Sequence, residues 1–184
     1  GPDSKAAPQN SESGASWGND TVNVGGMVWA SKGNNNFIQT GSGNDTVTIK
    51  GGVYAQTGNN NLIDTGKGDD LLTVKNGYVN ANGRGSSNKL NSGGDIHLDN
   101  AYVYAHDRAS NSLNADGDID IELNGRIGSL SAAVGAHSDS VNTITAGGQV
   151  NISSNQTIGV AAGLTSSSGG HNIIEAGSGI NITA

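Results

Sequence analysis

SWGNDTVNV (16–24), TGSGNDTVTI (40–49) and TGKGDDLLTV (65–74) are one phrase written three times, and Asp20, Asp45, Asp70 and Asp95 fall 25 residues apart. Self-similarity at a period of about 20 to 50 residues is the mark of a solenoid, in which each repeat buries its face only against its neighbours. Side chains at equivalent positions then stack in columns, and columns are where function should be sought.

Working outward, three phrases recur in fixed order. One is Asn-x-apolar, at Asn36, Asn61, Asn88, Asn111, Asn142 and Asn172. Another is a Gly-rich turn leading into apolar-polar-apolar, as in Val47-Thr-Ile, Leu72-Thr-Val, Ile96-His-Leu, Ile119-Asp-Ile, Val150-Asn-Ile and Ile180-Asn-Ile. The last centres on a β-branched residue, at Val28, Val53, Val79, Val103, Ile127 and Ile158. Each alternates with period two, the pattern of a half-buried strand. Three strands per rung describe an all-β fold, a single-stranded three-sided parallel β-helix with about seven rungs of roughly 25 residues and no helices. Longer bends are expected around residues 129–141 and 161–171. The Asn column reads as a structural ladder, because Asn tolerates left-handed bends and its amide can donate to the amide stacked beside it. Residues 17–184 are read as this solenoid. Residues 1–16, which open on a Gly1-Pro2 pair resembling a cleaved-tag scar, are expected to be disordered, and the chain is expected to be a fragment of a longer protein.

Composition narrows the function classes. The chain has 184 residues, 30 Gly, 4% aromatics and no cysteine, so disulfides, thiolate metal sites and thiol catalysis are excluded. A formal charge of −7 argues against nucleic acid or an anionic membrane as partner and suits cation binding or solubility. No apolar run approaches the roughly 20 residues needed to span a bilayer, so no membrane insertion by this segment is expected.

Two families resemble these repeats. SGGDIHL (92–98), AGGQVNI (146–152) and AGSGINITA (176–184) resemble the rungs of filamentous-haemagglutinin-like and autotransporter passenger proteins. Those are large bacterial surface adhesins built on β-helices. TGSGNDTVT (40–48) and TGKGDDLLT (65–73) resemble the calcium-binding nonapeptide of secreted RTX proteins, except that Thr40 and Thr65 replace its first Gly. RTX repeats run in tandem every nine residues with calcium between consecutive turns; here the phrase occurs once per rung, so that site geometry does not carry over intact.

Three candidate sites follow. Asp20, Asp45, Asp70 and Asp95 would stack about 4.8 Å apart, a repulsive column unless something neutralises it. Calcium, which takes six to eight oxygens, is one solution, with Gly18, Gly43 and Gly68 turning carbonyls inward; each Asp capping its own turn is the other. Trp29, Tyr54 and Tyr104 are expected outward on one side of the Val column, and Tyr78 and Tyr102 outward on the other. This stripe is either a ligand-binding face for a sugar or protein, or a stack that stabilises the face. Finally, Asp95, His97 and Asp99 should lie beside Asp118, Asp120 and Glu122, with Lys75 next to Asp99. That acidic face could hold a second metal ion, supply a general acid and base for glycoside cleavage, or simply be solvated. His106, His137 and His171 fall in expected bends with no partner set.

These readings converge on a segment of a large secreted or cell-surface bacterial adhesin. It would form a rigid rod and present a face to a host or surface glycan or protein receptor, with calcium as a cofactor of the first rungs. The alternatives are a polysaccharide lyase or hydrolase using the acidic face, or a stalk with no ligand. No enzymatic activity is expected on the preferred reading.

Overall fold

A computed structural model of the chain describes residues 18–125, 132–154, 164–167 and 169–183. The expectations for residues 1–16, and for Ile127 and Ile158, fall outside the described residues. The fold is a three-sided parallel β-helix, with no helix among the described residues.

One side, the Asp-led face, stacks β1 (Thr21–Val24), β4 (Thr46–Ile49), the first half of β7 (Leu71–Asn82), the first half of β9 (Asp95–His106), β11 (Ile119–Leu123), β14 (Gln149–Ser154) and β17 (Gly179–Thr183). The aromatic face stacks β2 (Met27–Ala30), β5 (Gly52–Gln56), the second halves of β7 and β9, β12 (Val134–His137) and β15 (Leu164–Ser167). The Asn face is a separate sheet of β3 (Asn36–Gln39), β6 (Asn60–Asp64), β8 (Ser87–Ser92), β10 (Ser110–Ala115), β13 (Val141–Ala146) and β16 (His171–Ala176). Every pairing is parallel and in register with the repeat, for example Val47 with Leu72 and Asn61 with Asn88. Alternation gives the reason: one side-chain row of each strand points into the cylinder, and only apolar or mutually bonded residues occupy it.

The interior is a set of aliphatic columns. Val47, Leu72, Ile96, Ile119 and Val150 form one on the Asp-led face; Ile63, Leu90, Leu113 and Ile144 form another on the Asn face; Val53, Val79, Val103 and Val134 line the aromatic face, all with no exposed surface. Burying a side chain of this size stabilises by about 1.5–3 kcal/mol, and identical neighbours above and below let each rung add a similar amount.

The corner between the Asp-led and aromatic faces changes along the rod. In the first two rungs, Gly25-Gly26 and Gly51-Gly52 make the turn between β1 and β2 and between β4 and β5. In the next two, Asn76 and Asn100 take left-handed backbone, φ 52° each, and the strand continues round the corner without a break. Register shows one additional residue there. Ile49 pairs with Val74 but Val53 pairs with Val79, so the rung offset rises by one across the bend.

Several expectations change. On the aromatic face the positions in register beyond Val103 are held by Val134 and then Leu164. The residues expected as long bends therefore contain strands β12 and β15, and the additional length of the later rungs lies before each of them. The ladder asparagines lie within strands rather than in left-handed bends; the left-handed asparagines are Asn76 and Asn100.

Candidate functional site

The Asp-led turns come first. Asp20, Asp45 and Asp70 are buried at 2%, 1% and 4% exposure. Asp45 Oδ1 accepts the backbone N–H of Asp20 at 2.8 Å, and Asp70 Oδ1 accepts that of Asp45 at 2.8 Å. Through Oδ1, Asp45 and Asp70 thus each cap the turn of the preceding rung. Beyond Asp70 the direction reverses: Asp95 Oδ1 accepts from the N–H of Asp118, and Asp118 Oδ1 from that of Gln149, both at 2.7 Å. Asp95 reaches Asp70 only through its own N–H, which donates to the Asp70 carbonyl at 2.8 Å.

The second carboxylate oxygens differ. Asp70 Oδ2 accepts the Thr65 hydroxyl at 2.7 Å. The equivalent hydroxyl of Thr40 donates instead to the Thr65 carbonyl, and Asp45 Oδ2 is buried with no hydrogen-bond partner. Burial pushes the Asp70 carboxyl above its usual range, against the lowering effect of the Thr65 and Asp45 donors. Gly18, Gly43 and Gly68 all have positive φ. The carbonyls of Gly18 and Gly43 occupy the space that a Cβ would take on Gly43 and Gly68 respectively, one rung on.

On the outer side of the same face, the expected rows are in register. His97 lies beside Asp120, Asp99 beside Glu122, and Lys75 beside Asp99. They line a groove of about 560 Å³ crossing four rungs, with Leu71, Thr73, Asn151 and Ser153 completing its wall. Its polar groups are held along the rod axis. Asn181 Nδ2 donates to Asn151 Oδ1 at 2.8 Å, Asn151 Nδ2 to Asp120 Oδ1 at 2.7 Å, and His97 Nε2 lies 3.2 Å from Asp120 Oδ2. A second hollow of about 550 Å³ continues it across the turns, bounded by Asp69, Asp70, Gly93, Gly94, Asp95 and Asp116, with Leu71 and His97 common to both.

The aromatic residues form a ladder. Trp29 pairs in register with Tyr54, but Asn80 occupies the next position of that column and Tyr104 the one after. The ring contacts therefore step sideways, from Trp29 to Tyr54 (6.3 Å between centroids), then to Tyr78 (6.1 Å, edge-on), then to Tyr102 (5.5 Å). Trp29 is 54% exposed, on the first described rung. Tyr102, expected outward, is buried at 6%, and burial pushes its hydroxyl up to about 12. The turn at Asn100 is followed by three consecutive buried residues, Ala101, Tyr102 and Val103, whereas Tyr78, at the same register one rung earlier, stays half-buried. Burial likewise raises Tyr78 and Tyr104. Tyr102 is thus an anchor of the ladder rather than part of a binding face.

The Asn ladder has the form expected. Asn36, Asn61, Asn88, Asn111, Asn142 and Asn172 are joined Nδ2 to Oδ1 at 2.9–3.0 Å. The same Nδ2 groups also donate to strand carbonyls of the aromatic face, such as Tyr54 and Tyr104. A second asparagine run escaped sequence reasoning. Asn100 Nδ2 donates to Asn76 Oδ1 at 3.1 Å, and Asn100 Oδ1 accepts the N–H groups of Asn124 and Gly125. The signal was present as Asn76, Asn100 and Asn124, spaced 24 residues apart. All three remaining histidines also move from bends to strands: His106 ends β9, His137 ends β12 and His171 opens β16, and His106 and His137 are in register.

Among the described residues, no three His, Asp or Glu side chains gather closely enough to form a metal-binding group. Among the described residues there is likewise no helix long and apolar enough to cross a membrane. In comparisons with known protein families, curated proteins and solved structures, the chain finds no match.

Proposed function

We propose that this chain is a rod-forming segment of a secreted or cell-surface bacterial adhesin, and that it presents a glycan-binding groove on its Asp-led face. The observation that carries the reading is the groove of about 560 Å³ across four rungs, with His97, Asp120 and Asn151 fixed by bonds along the rod axis. Polar groups fixed in advance, beside the apolar side chain of Leu71, suit a polyhydroxyl chain, which needs donors, acceptors and some apolar contact. The exposed Trp29 and the half-buried Tyr54 on the neighbouring face supply a second surface of the kind that sugars and proteins contact. The likeness of the later rungs to haemagglutinin-type repeats points the same way. A glycan array probed with the chain should give a defined set of ligands. Asp120→Asn with Asn151→Ala should lower that binding at least tenfold while the melting curve stays cooperative. Unchanged binding in that variant, with loss in Trp29→Ala/Tyr54→Ala, would move the site to the aromatic face. Loss in neither would leave the stalk reading.

Calcium belongs to the same proposal. The buried, unpartnered Asp45 Oδ2 between Asp20 and Asp70 is the atom a cation would neutralise, with backbone carbonyls completing its oxygen shell. The second reading is a polysaccharide-active enzyme, and the His97–Asp120 pair at 3.2 Å is what favours it. A carboxylate beside an imidazole is the arrangement of a base and its orienting partner. Release of reducing or unsaturated ends from a polysaccharide panel, abolished by Asp120→Asn, separates this reading from binding alone.

A further inference from the structure

We propose that His106 and His137 form a two-imidazole site for a divalent transition ion of the zinc class on the outer side of the aromatic face. The two residues are direct register partners on adjacent parallel strands, β9 and β12. Such strands lie about 4.8 Å apart, and side chains at paired positions leave the sheet in the same direction. Two imidazole nitrogens on a tetrahedral zinc, at about 2.0–2.1 Å each, are about 3.3 Å from one another, a separation that a modest tilt of two such rings reaches. Both histidines are part-exposed, so an ion has access from solvent.

Tyr104 makes the pair more than a coincidence of register. Its ring stacks on His106 at 6.1 Å with 18° between planes, and contacts His137 at 5.3 Å. One aromatic wall thus touches both imidazoles and limits their rotamers, which lowers the entropy lost on coordination. Imidazole selects zinc, copper or nickel over calcium, so this site and an oxygen-lined one would not compete for the same ion. No third His, Asp or Glu among the described residues joins the pair, and water or a partner group would complete the shell. The adjacent Asp107 is engaged by Arg108 at 3.2 Å. An ion held here would tie rung four to rung five where the repeat lengthens from 24 residues between Val79 and Val103 to 31 between Val103 and Val134.

The test is calorimetric titration of the whole chain with zinc chloride in a non-chelating buffer, paired with thermal melts. The expected result is one saturable site per chain. His106→Ala and His137→Ala should each weaken it at least tenfold, and His97→Ala should leave it unchanged. Zinc should raise the melting temperature of the parent and not of the double variant, whose zinc-free melt checks that it folds. Absence of a saturable site, or a site that survives both alanine variants, would overturn the proposal. A site lost only in His97→Ala would overturn it too, by placing the ion on the Asp-led face.

Discussion

At the scale of single residues, the molecule replaces an aromatic interior with repeated polar pairs. Asn111 shows what this costs and gains. Its amide donates to Asn142 and to the Tyr104 carbonyl and accepts from Asn88, with 1% of its surface exposed. Asn111→Ala leaves a buried acceptor and a buried donor unpaired at about 1–3 kcal/mol each. Chemical denaturation should therefore show a loss of at least about 2 kcal/mol. Asn111→Asp should cost more, since a carboxylate cannot donate and its charge is buried.

Tyr102 gives a pH signature. Its proton is held to about pH 12 in the fold, against 10.0 for the ordinary side chain, because burial disfavours the phenolate. The unfolded chain loses that proton first, so stability falls as pH rises from about 10 to about 12, by roughly 2–3 kcal/mol in all. Tyrosinate absorbance followed during alkaline titration should show one group that ionises only with unfolding. Tyr102→Phe should remove that step. Asp70 acts in the same sense at lower pH: with its carboxyl raised by burial, its contribution diminishes as pH climbs above 3.8.

At the scale of elements, the turns decide whether rungs can stack. Gly68 has φ 148°, and a Cβ there would strike the Gly43 carbonyl of the rung below. Gly68→Ala should cost about 2–3 kcal/mol or more, through both left-handed strain and a rigid backbone clash. A Cβ on Gly25 would meet nothing within 4 Å, so Gly25→Ala is the matched control and should be nearly neutral by thermal melt. The strands themselves were legible in the sequence because Val47, Leu72 and Ile96 alternate with polar residues. The aromatic-face strands of the later rungs were not. Val134 and Leu164 are distinguished from nearby apolar residues only by pairing with the rung beside them.

At the scale of the whole molecule, the rod is a sum of neighbour interactions, so a ligand that neutralises one column should stabilise the whole stack. Thermal melts in EDTA and in millimolar calcium are expected to differ by several degrees. Asp45→Asn should abolish the difference while keeping the Oδ1 acceptor for the Asp20 N–H. Identical curves for the parent would remove calcium from the account.

The sequence by itself determined the solenoid, its three faces and its Asp, Asn and Val/Ile columns, because a parallel stack maps equal spacing directly onto adjacency. It also placed Lys75, His97, Asp99, Asp120 and Glu122 side by side, since register follows from the same spacing. Tertiary structure decided what spacing cannot encode. The direction of each hydrogen bond in the Asp ladder is one such property; it reverses between Asp70 and Asp95 although the residue type does not change. Another is burial: Tyr78 and Tyr102 are register partners, yet Tyr102 is buried and Tyr78 only half-buried, and the longer later rungs bring His137 beside His106. Period fixes which rungs touch, but local backbone turns fix where each side chain points.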